Sequence, residues 1–350
     1  MFEITDQDNL SREGLLKTKH GILKTPAVFP VHDLGGDGGE NTPRYWEKIK
    51  EMNTGMFNAA ILSMNNRGVL GRILEIGVHR YLRFFGITFV DSGGYVYKKY
   101  NLRIKPKQIL EIQEKMGADI ASTLDFPINY KVFSENDRIM ATIESAIIAD
   151  SARKDQEMNL FASINGYDPV LIKNVIKHLE RKCNFDGYAI GSLLPKFSNY
   201  RLLIDSILAA RREIKNKPLH VYGLGSPVIA NLLIYLGVDS FDSSFFVISS
   251  GKRNYSVPGY GRVDFSELEK YPELPCECPI CKTYEIDQIR RKRELLCLHN
   301  LSVLNKELED VKQAIREHNI ESYLHKRFEK NPWAKRAFRY AKDRIRMSGG

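Results

Sequence analysis

GYAIGS (187–192), NYRLLIDSILAARREI (199–214), LHVYGLG (219–225), SPVIANLLIYLG (226–237) and DSFDS (239–243) follow one another along the chain. The first, third and fifth are short apolar runs that end in Gly, Ser or Asp, as buried parallel strands do. The second and fourth read as helices. Working outward, the same short runs recur at TPAVFPV (25–31), FNAAILSM (57–64), ITFVDSG (87–93), DIASTLD (119–125) and NLFASIN (159–165). Helical stretches separate them: NTPRYWEKIKEM, GVLGRILEIGVHRYLRFF, KPKQILEIQEKMG, ENDRIMATIESAIIADSARKDQ and DPVLIKNVIKHLERK. In KPKQILEIQEKMG, Ile109, Ile112 and Met116 fall on one helical face. Eight β-α repeats predict an α/β fold, a (β/α)8 TIM barrel rather than an open sheet.

The 350 residues are 43% hydrophobic and 27% charged, which excludes wholesale disorder, collagen and coiled-coil classes. No apolar run reaches the ~18 residues of a membrane span, so no membrane partner is expected. MFEITDQDNLSREG has no apolar leader core. The net charge of +9 is uneven. Lys326 to Arg346 holds nine basic residues against Glu329 and Asp343, and so accounts for +7 of it. Phe328, Trp333, Phe338 and Tyr340 are interleaved with them. A basic stretch of this kind suits a polyanionic partner, with Arg336, Arg339 and Lys342 as contacts to a nucleic-acid backbone. The sequence predicts three parts: the barrel (1–270), a cysteine-bearing subdomain with a closing helix (271–325) and a basic C-terminal segment (326–350).

A TIM barrel carries its chemistry at the C-terminal ends of its strands. Those ends bring Asp91 with Ser92-Gly93-Gly94, Asp125, Asn165-Gly166, Gly191, Gly223, Gly225 and Asp242 to one mouth. There is no P-loop and no G-x-G-x-x-G after the first strand, which argues against nucleoside triphosphate or dinucleotide chemistry. Clustered carboxylates suit a glycosidic centre, where one attacks carbon and another handles a proton. Glycines let a flat ligand approach the backbone closely. Asp239 is the competitor of Asp242, but it sits at the start of its strand, away from the mouth.

Of five cysteines, three stand in PCECPICKTY as Cys276, Cys278 and Cys281. An odd count without a leader argues against a disulfide framework and for a reducing cytoplasm. C-x-C-x2-C places three soft thiolates on one turn, as a structural Zn2+ site requires. The fourth ligand comes from LLCLHNL, with His299 as the first candidate and Cys297 as its rival. Cys183 reads as packing.

DSGGY (91–95), MGADIASTLD (116–125), GYAIGS, YGLGSP (222–227), GVDSFDS (237–243) and the C-x-C-x2-C turn with His299 occur in this order. Together they resemble the tRNA-guanine transglycosylases, from about Gly14 to about residue 345, and the archaeal branch more than the bacterial one. The resemblance implies a pentosyltransferase that removes guanine from a nucleic acid and inserts a 7-deazaguanine such as 7-cyano-7-deazaguanine. It makes Asp242 the nucleophile on C1′ and Asp91 the general acid/base. Asp125 would accept hydrogen bonds from the amidine edge of guanine, and Gly191 would help read the carbonyl edge. Tyr95 and Tyr222 fall where the family sandwiches the base, and Ser92 and Gly223 belong to the same substrate-binding set. Asn165 stands where the family has Gln. The Gly-rich loop HDLGGDGGENTPRYW has no assigned role. The family's habit of pairing near the zinc site implies a homodimer. The archaeal tRNA enzymes carry further RNA-binding domains beyond the catalytic one. A related branch exchanges guanine in DNA, and a non-catalytic RNA-binding paralogue or a nucleoside hydrolase would share the barrel, so tRNA and DNA both stand as partners.

Overall fold

Strands buried on both faces read as near-continuous apolar runs, and Asn159–Ile164 is buried at all six positions, with Asn159 donating to Lys17 O and Ser163 to Thr123 O. The computed structural model describes residues 1–32, 54–58, 67–94, 105–128, 135–166, 168–268 and 276–347. Strands β1 (Phe2–Asp8), β2 (Ser11–Thr18) and β3 (Gly21–Thr25) form an antiparallel sheet. Then β4 (Ala27–His32), β5 (Thr54–Asn58), β6 (Ile87–Asp91), β7 (Ile120–Ser122), β8 (Asn159–Ile164), β9 (Gly187–Ile190), β10 (Leu219–Val221) and β11 (Ser240–Ser243) close a parallel barrel in chain order. β11 pairs back onto β4, Asp242 lying opposite Phe29. Seven of the eight runs that predict the barrel supply one of its strands; the eighth, FNAAILSM (57–64), shares only Phe57 and Asn58 with β5, which starts ahead of it, and its residues 59–64 lie outside the described residues. A hairpin of β12 (Asn254–Val257) and β13 (Gly261–Asp264) follows.

Alternation along each strand sends every second side chain into the barrel. Phe29, Phe89, Ile120, Phe161 and Ala189 pack together as the interior layer, while Val28, Val90, Ala121, Ala162 and Ile190 pack outward against the helices. Asp91 therefore continues the inward row of Ile87 and Phe89, beyond the end of the packed layer. Leu16 and Leu23, from β2 and β3, join the same interior cluster. The antiparallel sheet thus plugs the bottom of the barrel, a role that the sequence reading did not assign to residues 2–25.

The helices start where their caps dictate. Asp168 accepts the Leu171 N–H ahead of the Pro169–Lys182 helix, and Asn331 accepts the Ala334 N–H ahead of Pro332–Arg346. Both have proline in the first turn, where its missing N–H has no partner to lose. The expected single helix over 68–85 is two, Arg67–Ile76 and Val78–Leu82, separated by Gly77 at φ 81°. The stretch 41–52 and the Gly-rich loop that leads into it lie outside the described residues. The Arg293–Arg316 helix runs along the barrel and packs on β12, on Pro227–Tyr235 and on Phe245–Gly251. No helix among the described residues is long and apolar enough to cross a membrane.

The basic segment docks on this frame. Ala334, Ala337, Phe338 and Ala341 form its buried stripe. Phe328 is buried too, and Tyr340 donates a 2.7 Å hydrogen bond to Asp205. Its aromatic rings therefore serve packing, and Trp333 stacks on Phe197. Lys342 pairs with Glu321 at 2.8 Å and Arg344 with Asp205 at 2.8 Å. Lys335, Arg336 and Arg339 are exposed and form no ion pair among the described residues.

Candidate active site

Each acid at the barrel mouth has its own support. Asp242 is the last residue but one of β11, only 8% exposed. The Gly223 N–H donates to its Oδ1 at 2.7 Å, and His220 Nε2 lies 3.6 Å from the same oxygen. Across the barrel, Asp91 ends β6, where its Oδ2 accepts the Gly93 N–H at 3.1 Å. Burial, with the charges of Asp125 and Asp242 nearby, pushes the Asp91 carboxyl up to about 7. Asp125 lies just past β7 and accepts the Ser92 hydroxyl at 3.3 Å. Burial raises it to about 6, against the hydrogen bonds that favour its charge. Asp91, raised by burial and by the neighbouring carboxylates, therefore holds a proton near neutrality.

Glycines make the acids' arrangement possible. A Cβ on Gly94 would lie 2.0 Å from Asp125 Oδ1. One on Gly191 would lie 2.8 Å from Asn165 Oδ1, 3.5 Å from Asp125 Oδ2 and 3.7 Å from Tyr222. Gly191, Asp125, Asn165 and Tyr222 thus converge on one small space. Tyr222 points inward, edge-on to Phe89 and His220. Burial and the neighbouring acids hold its phenol well above its ordinary pKa.

Asn165 is already engaged. Its amide nitrogen donates to Phe126 O at 3.2 Å, and its oxygen accepts the Ser192 hydroxyl at 3.1 Å. It shapes the wall next to Gly191, and its amide is committed to protein partners. Tyr95 lies outside the described residues. Asp239, the competing acid, is at the barrel's other end. Arg12 holds it at 2.7 Å and Arg211 at 3.0 Å, and the Leu219 N–H donates to it at 2.7 Å.

Two residues that the sequence reading passed over belong to the site's framework. His220 is fully buried beneath Asp242, and its Nδ1 lies 2.9 Å from the Ser240 hydroxyl. Burial lowers its pKa, so it stands as a neutral imidazole under the carboxylate. Its inward parity with Tyr222 was the available signal. Lys196 is also fully buried. Its ammonium donates to Gly166 O at 2.8 Å and to Ser192 O at 2.9 Å, tying together the loops after β8 and β9. Burial lowers its pKa to about 8.

Away from the mouth, Cys276, Cys278, Cys281 and His299 bring four ligand atoms within 4.8 Å of one another, an arrangement that could hold a metal ion. His299 Nδ1 lies 3.4 Å from Cys278 Sγ and 3.2 Å from Cys281 Sγ. Its Nε2 lies 2.9 Å from Ser256 O. A carbonyl only accepts, so Nε2 carries the proton and Nδ1 presents its lone pair to the sulfurs. That tautomer fits a metal ligand. Tyr255 stacks on the His299 ring at 3.8 Å. Cys297, the rival ligand, is buried and not in the cluster.

A family model described as queuine tRNA-ribosyltransferase matches residues 7–332. A tRNA-guanine(15) transglycosylase from Methanosarcina mazei is 31% identical over 95% of this chain and 68% of its own length. One from Thermococcus onnurineus is 30% identical over 95% of this chain and 57% of its own. One from Methanococcus aeolicus is 28% identical over 97% of this chain and 54% of its own. The chain spans little more than half the length of several of the relatives it matches.

Proposed function

Because the chain belongs to the queuine tRNA-ribosyltransferase family, we propose that it exchanges guanine in a nucleic acid for a 7-deazaguanine. The observation that carries this reading is the trio of Asp91, Asp125 and Asp242 at one mouth, with the Asp91 carboxyl held near 7.

The Asp242 carboxylate attacks C1′ of the target nucleotide. The C1′–N9 bond breaks, and Asp91 supplies the proton that lets guanine leave as a neutral base. The incoming base then loses its N9 proton to Asp91 and displaces Asp242 from C1′. Two displacements retain configuration, as in a retaining glycosidase with a base in place of water. The Gly223 N–H fixes one Asp242 oxygen, and the neutral His220 below it adds no opposing charge. Asp125, oriented by Ser92, takes the donor edge of the base, and Gly191 leaves room for the ring beside Tyr222. Asp125 favours a base with an N–H amidine edge, so guanine and its 7-deaza analogues fit and adenine does not.

Cys276, Cys278, Cys281 and His299 would hold a Zn2+ ion, which when bound cross-links the turn to the Arg293–Arg316 helix and takes no part in the chemistry. The relatives' names favour tRNA as the polymer, and the exposed Lys335, Arg336 and Arg339 suit its phosphates. Labelled 7-cyano-7-deazaguanine, offered with total tRNA and separately with duplex DNA, tests the reading. Label in tRNA supports it, label in DNA alone moves the substrate to DNA, and label in neither overturns it.

A further inference from the structure

A buried ammonium is costly unless hydrogen bonds or an opposite charge replace its lost water. Lys196 is fully buried, and among the described residues it forms no ion pair. Its partners are two backbone carbonyls, Gly166 O at 2.8 Å and Ser192 O at 2.9 Å. Asp168, at the head of the Pro169–Lys182 helix, is the charge that acts on it, and it offsets burial only in part. Local structure brings the side chain to this position. Leu194–Lys196 is a single turn of 3-10 helix, in which the Lys196 N–H donates to Leu193 O at 2.9 Å. That turn folds the lysine back under the residues that precede it.

Ser192 is the residue it holds. Its φ of 58° lies in the left-handed region, which a residue with a Cβ adopts at a cost. The surroundings enforce that conformation. The Ser192 hydroxyl accepts the Ile128 N–H at 2.9 Å and donates to Asn165 Oδ1 at 3.1 Å, and Lys196 fixes its carbonyl. Three loops meet here: the one after β7 that carries Asp125, the one after β8 that carries Asn165 and Gly166, and Ser192's own. Gly166 is packed closely, since a Cβ there would lie 2.5 Å from Ile172 Cγ1. Gly191, next to Ser192 in the chain, faces the small space between Asp125 and Tyr222.

We propose that Lys196 is a positioning residue for the base: its charge holds the strained Ser192 turn, and with it Gly191, in the geometry that receives the base beside Asp125. The inference rests on the exchange reaction proposed above. Lys196 does not touch the base and acts through the loop. A charged donor grips a carbonyl roughly twice as strongly as a neutral one. Burial brings the Lys196 ammonium down to about 8, so the grip weakens as pH rises past that value. Asp125, raised to about 6, is already ionised there and ready to accept the donor edge of the base. Base affinity therefore peaks between the two values, and a lysine that only filled space would give no falling side.

Calorimetric titration with free 7-cyano-7-deazaguanine at about pH 7 and about pH 9 tests the role. The proteins are the wild type, Lys196→Met and Lys196→Arg, and the titration of the base itself cancels in ratios between them. Lys196→Met should bind the base about tenfold more weakly than the wild type at the lower pH and less than about threefold more weakly at the higher. Lys196→Arg, which keeps its charge throughout, should restore part of the affinity at both. In exchange of labelled guanine into tRNA, Lys196→Met should raise the KM for the base and leave kcat within about twofold. A ratio of Lys196→Met to wild type that is the same at both pH values overturns the role and leaves Lys196 as packing. If Lys196→Met does not fold, Lys196→Arg is the reference: the wild type should lose affinity relative to it as pH rises, and parallel profiles overturn the role. Failure of the wild type to bind the base at either pH removes the proposed function and this role with it, whereas binding with a constant ratio removes the role of Lys196 alone.

Discussion

At the scale of single residues, Asp91 carries the clearest consequence. Its carboxyl is raised to about 7, chiefly by burial and then by Asp125 and Asp242. The folded protein therefore binds this proton more tightly than the unfolded chain, whose aspartates titrate near 3.9. Between the two values the native state is protonated and the unfolded one is not, so stability falls as pH rises from about 4 to 7. Asp91→Asn removes that loss. It should raise the melting temperature by about 2–4 °C at pH 8 and change it little at pH 4, as read by thermal denaturation at the two pH values. An equal shift at both would show that Asp91 does not titrate in this range. In the proposed exchange the same proton is the one a departing base needs, so the substitution that stabilises the fold should remove exchange. Asp239 shows the opposite use of a carboxylate. Gripped by Arg12 and Arg211, it fastens the start of β11, while three residues on, Asp242 faces the mouth.

At the scale of elements, the cysteine turn and the helix bearing His299 form one unit with the β12–β13 hairpin. Tyr255, Val257, Val263, Phe265, Ile289 and Leu296 are its small core. A core of this size gains much of its order from a bound metal. Cys278→Ser should cut the zinc content, measured by elemental analysis, from about one ion per chain to well below half. Retention of a full equivalent would show that the cluster is not the site. Much of this architecture was legible. Eight mostly apolar runs announced the barrel, because strands buried on both faces carry few polar residues. Their ends were less legible: DIASTLD suggested a strand to Asp125, yet β7 stops at Ser122. The last residues leave the sheet so that the acid can turn into the mouth. The plug at 2–25 was missed because the alternation that Phe2 to Ile4 begins is cut off by four consecutive polar residues, Thr5 to Asp8. His220 and Lys196 were missed for a different reason. Only tertiary contact shows that one lies under Asp242 and that the other clamps two loops.

At the scale of the whole molecule, charge has been sorted by helix geometry. The terminal helix turns its alanines and Phe338 to the barrel, spends Lys342 and Arg344 on Glu321 and Asp205, and leaves Lys335, Arg336 and Arg339 facing water. Arg336→Ala with Arg339→Ala should weaken tRNA binding and lower the slope of log affinity against log salt by about 1 to 2, as measured by filter binding between 50 and 200 mM salt (about the usual range). Affinity for the free base should not change. An unchanged slope would leave this face without a role in phosphate contact. All of this serves one claim, that Asp242 forms a bond to C1′ of a nucleic acid. Mixing the protein with guanine-containing tRNA, denaturing it and mapping any cross-linked peptide by mass spectrometry tests that claim. A ribosyl adduct on Asp242 is expected, which free guanine reverses and Asp242→Asn abolishes. Guanine exchange that persists in Asp242→Asn, or an adduct on another residue, would contradict it.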